Sequence, residues 1–127
     1  TTKNQVTDMN VQLNCLIVDA DASNRAELSN FLAQYGVHLV AQLPAADPLA
    51  NFLNQADPPQ LVIVNLDPAP HDTLKRIAHL PKQFPAISFF VMSQTLDAQL
   101  LMDAMHLGIK GIAYKLAGLI MALFVVA

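Results

Sequence analysis

The sequence predicts an α/β fold, a doubly wound parallel sheet of five strands with helices on both faces. Three observations predict it. Short apolar runs alternate five times with segments of helical periodicity along the 127 residues. The connections between them are short and punctuated by glycine and proline. The central runs are continuously apolar, as strands covered on both faces must be, rather than alternating.

Leu13 to Val18 is the first apolar run and ends at Asp19-Ala20-Asp21. Asp21 is placed to cap a helix in which Leu28, Phe31, Leu32 and Tyr35 recur at helical spacing, and Gly36 suits a left-handed stop. Val37 to Ala41 reads as the second strand. Asp47-Pro48 has the form of a helix start, with Leu49, Phe52, Leu53 and Ala56 as the buried side. Asp57-Pro58-Pro59 breaks the chain before the third strand, Leu61 to Val64. A helix over about Asp72 to Leu80 turns Leu74, Ile77 and Ala78 inward and stops at Pro81. Ile87 to Met92 is the fourth strand. The next helix begins near Asp97, with Leu101, Ala104, Met105 and Gly108 as its core stripe, and Gly111 to Tyr114 is the fifth strand.

Composition bounds the possibilities. The length suits one domain, read as a polar tail over 1–12 and a folded unit over 13–127. A 54% hydrophobic fraction with 13% charged residues is too apolar for a disordered chain. Seven basic residues against ten acidic ones leave no surplus for phosphates, which excludes direct nucleic-acid binding. The single cysteine, Cys15, cannot form an internal disulfide, and it suits a reducing, cytoplasmic setting. The tail lacks the apolar core of a signal peptide. The four histidines, His38, His71, His79 and His106, have no metal-ligand spacing. Neither a metal nor a cofactor is expected.

Leu116 to Ala127 is the longest apolar run. As a helix its 12 residues would span about 18 Å, short of the roughly 30 Å bilayer core. It is not a membrane span, yet it lacks the polar face of a surface helix.

In open α/β sheets the working site lies beyond the carboxyl ends of the strands. The residues there are Asp19 to Asp21, Asn65 to Asp67, Ser93 and Lys115. With the runs that precede them, Leu16-Ile17-Val18-Asp19, Leu61 to Leu66, Val91-Met92-Ser93 and Gly108 to Lys115, they make the chain resemble the CheY-like receiver domains of response regulators over roughly Leu13 to Leu116. The resemblance implies a phosphorylation pocket, and the departures imply that it is degenerate. Asn65 stands where the family has its phosphoacceptor aspartate, and an amide is a far poorer nucleophile than a carboxylate. Ala20 replaces one member of the acidic pair, leaving Asp19 as the one matched pocket carboxylate, too few charged oxygens for magnesium. Leu116 replaces the proline after Lys115, and Ile112 takes the place of an aromatic switch residue. The implied protein is a pseudo-receiver without catalytic residues. Its degenerate pocket would comprise Asp19, Ala20, Asn65, Asp67, Ser93 and Lys115. Asp19 would pair Lys115 or cap the following loop. The side chain of Asp67 would point away from the pocket.

Val64 to Pro68, Phe89 to Ser93 and Leu101 to Ile109 are also similar to the atypical receivers of TadZ/CpaE-like pilus-assembly proteins. The words Leu66-Asp67-Pro68 and His71-Asp72-Thr73-Leu74 resemble receivers of antitermination (ANTAR-type) regulators as well. Both families imply a protein partner or a fused C-terminal output domain. Apolar residues beyond the core stripe, Leu100, Met102 and Leu107, with Ile112, Leu119, Ile120 and Leu123, mark a contact surface. The family implies homodimerisation there, through its fourth helix, fifth strand and fifth helix. The alternatives are a phosphorelay receiver using Asp67, and a flavodoxin-like nucleotide binder, against which the missing glycine-rich loop argues.

Overall fold

The computed structural model describes residues 13–55, 57–95, 97–116 and 119–125, with side chains described as far as Lys115. Six strands form one sheet in the order β2-β1-β3-β4-β5-β6. They are β1 (Leu13–Val18), β2 (Val37–Leu43), β3 (Leu61–Asn65), β4 (Ser88–Ser93), β5 (Gly111–Leu116) and β6 (Leu119–Val125). The first five run parallel, as expected. The sixth is antiparallel to β5 and was not anticipated. An all-apolar run has no polar stripe to turn toward water as a helix, and as a strand it pairs its backbone with β5. No family-like fifth helix therefore stands there. Leu119, Ile120 and Leu123 lie on β6, and their side chains fall outside the described residues. Among the described residues no helix is long and apolar enough to cross a membrane.

Five helices connect the parallel strands: α1 (Ala22–Ala33), α2 (Leu49–Leu53), α3 (Pro70–Arg76), α4 (Leu80–Gln83) and α5 (Ala98–Leu107). Asp21 caps α1 by accepting from the Ser23 and Asn24 amides, and Asp97 caps α5 by accepting from Leu100 N at 2.7 Å. Gly36 and Gly108 take φ of 78° and 86°, the left-handed conformations that end these segments. Asp47 does not cap α2. Pro48 occupies the cap position, and Asp47 lies exposed, 3.7 Å from Arg76. Pro81 does not stop a helix, because it falls in the first turn of α4, where a missing N–H costs nothing.

The larger core lies on one face of the sheet. Leu16, Val18, Val62, Val64, Phe89 and Val91 pack there against α2, α3, α4 and α5. On the other face Cys15, Ile17, Ile63, Met92 and Ala113 form a smaller cluster, with Leu28 of α1 its buried helical residue. Phe31 of α1 and Tyr35 in the turn after it, which recur at helical spacing with Leu28, are 48% and 69% exposed, and their rings meet at a 55° tilt. Within β2 the pairing shifts: Cys15 matches Leu39, but Leu16 matches Ala41. The unmatched Val40 is exposed, and the shift sends Leu39 and Ala41 to opposite cores.

Candidate functional site

The strand order reverses between β1 and β3, and an open α/β sheet has its crevice at that point. A cleft of about 430 Å³ opens there, lined by Asp19, Ala20, Asn65, Asp67, Thr95 and Lys115 among others. Parallel strands bring these positions together, since β1, β3, β4 and β5 all end on this side.

Asp19 is 2% exposed. Its Oδ1 accepts from Asp21 N at 2.9 Å, and its Oδ2 accepts from Asn65 Nδ2 at 3.1 Å. A buried carboxylate needs such donors to offset its lost hydration. Of the two roles expected for Asp19, the loop contact is present. Among the described residues no ion pair joins it to Lys115, and its two oxygens are served by the Asn65 amide and the Asp21 N–H. Lys115 is 8% exposed and lines the cleft. Ala20 is exposed at the rim.

Asn65 uses both ends of its amide. While Nδ2 donates to Asp19, Oδ1 accepts from Asp67 N at 3.1 Å. Asp67 departs from expectation, because its side chain turns into the cleft. Its Oδ1 accepts from Ser93 Oγ at 2.8 Å and its Oδ2 from Gln94 N at 2.7 Å. Ser93 is 1% exposed and its Oγ also accepts from Thr95 N at 2.9 Å. A continuous chain of bonds thus runs from Asp19 through Asn65 and Asp67 to Ser93, tying together the ends of β1, β3 and β4.

Other groups brace this end. The Arg25 guanidinium donates to the Asp19 carbonyl and, through Nε, to Gln42 Oε1 at 3.3 Å. His71 Nε2 lies 3.3 Å from Asp97 Oδ2, linking the first turn of α3 to the cap of α5. The Asp97 carboxyl is held below its ordinary pKa of 3.8, first by the Leu100 N–H and to a lesser degree by His71. Sequence reasoning missed Arg25, Gln94 and Thr95. Ser93-Gln94-Thr95, a hydroxyl two residues before another polar residue at a strand end, was the available signal for a local turn.

Two expected contact residues are in the core: Leu100 is fully buried and Ile112 is 2% exposed. The spacing had set Leu101 and Met105 inside α5. Ala104 is buried and Leu101 half-buried against the larger core, as the spacing implies, but Leu100 takes the fully buried place and Met105, like Met102, is exposed, at 53% and 52%. Leu107 is half-buried against the larger core. Among the described residues no three His, Cys, Asp or Glu side chains are grouped to hold a metal.

No family profile matches the chain, and no curated protein sequence does. Solved structures do match. A pilus assembly-related protein from Burkholderia pseudomallei superimposes with a TM-score of 0.72 at 19% identity, over 81% of this chain and 78% of that one. The isolated receiver domain of RcsB from Salmonella enterica serovar Typhimurium gives 0.71 at 23%, over 83% and 78%. A chain of the CheX–CheY complex from Borrelia burgdorferi gives 0.74 at 16%, over 87% and 83%. At these identities the likeness speaks for the fold alone. The chain has the CheY-like receiver fold, which it shares with response regulators and with pilus-assembly proteins.

Proposed function

We propose that the chain is a phosphorylation-independent receiver module, acting through protein contacts in signalling or localisation. The observation that carries this reading is the placement of the Asp67 carboxylate. A hydroxyl and a backbone N–H at the end of β4 form a donor pair suited to an anion. Asp67 fills that pair from within the chain. The donors at the end of β4 are thereby satisfied without an added anion, and Asn65 and Asp19 fix the far side of the cleft. The Asn65 amide offers no nucleophile, and Ala20 supplies no metal ligand. The exposed methionines of α5 are the described surface on which such a module would meet a partner or a fused output domain. The neighbours from Burkholderia make pilus assembly a setting for it.

One observation favours a second reading, a phosphorelay receiver using Asp67, since its side chain does line the cleft. Both of its oxygens are held by donors, which lowers their nucleophilicity. Incubation with magnesium and acetyl phosphate, followed by intact mass spectrometry, separates the two. The proposed reading expects unmodified protein. A stoichiometric phosphate adduct that disappears in Asp67→Asn establishes the second.

A further inference from the structure

At the amino ends of β4 and β5, the opposite end of the sheet from the cleft, lies a groove of about 290 Å³. Ile87, Leu107, Pro85 and Met105 give it an apolar lining, and Lys82 and Lys110 stand at its exposed rim. No Asp or Glu lines it, although the whole chain carries a net charge of −3. A cation in the last turn of a helix complements its dipole, which accounts for Lys82 on α4 and His106 on α5. It accounts neither for Lys110 nor for a methionine that is 53% exposed beside them.

The complementary surface is on α1. Glu27 and Phe31 share one side of α1, Tyr35 follows in the turn after it with its ring beside that of Phe31, and all three are exposed. The two rings lie 5.3 Å apart. The one cation of α1, Arg25, is turned inward to the Asp19 carbonyl and Gln42, so the outer stripe is apolar and anionic. α1 covers the smaller core, whereas α4 and α5 cover the larger one, so stripe and groove cannot meet within one chain.

We propose that the groove receives the α1 stripe of a second copy, with the aromatic rings against Met105 and Pro85 and Glu27 facing Lys82 and Lys110. Sulfur–aromatic contact and opposite charge both favour this pairing. Such a contact joins two different patches on opposite faces of the sheet, so it runs head to tail from copy to copy, into a ring or a filament. The inference rests on the reading of the chain as a protein-contact module and is independent of the chemistry in the cleft.

Sedimentation velocity of the 127-residue chain, from about 10 μM to about 1 mM, the range of weak association, tests it. Phe31→Ser/Tyr35→Ser removes the stripe and Lys82→Glu/Lys110→Glu reverses the rim, both at exposed positions. The expected result is wild-type protein that grows beyond a dimer with concentration, and two variants that are each monomeric. Mixed in equal amounts, the variants form a dimer and nothing larger, because one intact stripe meets one intact groove. A wild-type monomer throughout the range, or a mixture that stays monomeric, overturns the inference. Association lost on reversing the rim but kept without the aromatics also overturns it, while leaving a role for α5 in protein contact standing.

Discussion

The two faces of the sheet are built differently. One is covered by α2, α3, α4 and α5 over a large cluster that includes Phe89, Leu16, Leu49 and Leu80. On the other, α1 is the described helix, Leu28 is its buried residue, and Ile63, at 8%, and Ala113, at 7%, keep some exposure. After Lys115 the chain returns as β6, antiparallel to β5 at the sheet edge. Stability is therefore concentrated on one side, while the polar chain at the strand ends joins both.

The largest effect should come from truncating the well-covered face. Phe89→Ala is expected to cost about 3–5 kcal/mol in urea unfolding, against about 2 kcal/mol for Ile63→Ala opposite, which leaves a site better able to collapse. Equal costs would remove the distinction between the faces. Next comes the joining chain. Asp67→Ala strands the buried Ser93 hydroxyl, while the exposed Gln94 N–H turns to water, and a loss of about 1–2 kcal/mol is expected. Hydrogen exchange at Gln94 and Thr95 should accelerate more than exchange in β2.

Cys15 provides a finer probe of the smaller core. It is fully buried, and burial pushes its thiol up to about 12, so it is protonated and unreactive in the native state. Labelling by iodoacetamide at neutral pH should report opening of this face. A rate above that set by global unfolding is expected if the face opens on its own.

The smallest effect is at the Asp97 cap. Its folded pKa lies below the ordinary 3.8, so the cap stabilises α5 above that value and is lost as pH falls through the lowered one. Asp97→Asn should retain the cap and remove this pH dependence, read from the Leu100 amide shift across an acid titration.

Much of this was legible in the residues. Apolar runs located all five parallel strands, and Asp21, Asp97 and Gly36 marked helix ends through local hydrogen bonding and backbone conformation. What sequence could not supply was rotation and pairing. Leu100 and Met105 are both apolar and lie on different sides of α5, a choice made by packing against the sheet. The shift at Val40 depends on how β2 meets β1. The cleft residues were legible as positions following strands. The direction of the Asp67 side chain was not, because it depends on donors on β4, which is distant in sequence. β6 escaped notice because an apolar run bears no period to separate a strand from a buried helix.

If Asp67 takes the place of an anion at the end of β4, as proposed, the cleft has no use for phosphate. The most direct measurement is a titration of the wild-type chain with magnesium and beryllofluoride, followed through the Ser93, Gln94 and Thr95 amide resonances. The account predicts that these signals stay where they are without additions, and that Asp67→Ala alone displaces them. Saturable movement of the wild-type signals on adding the phosphate mimic would contradict it.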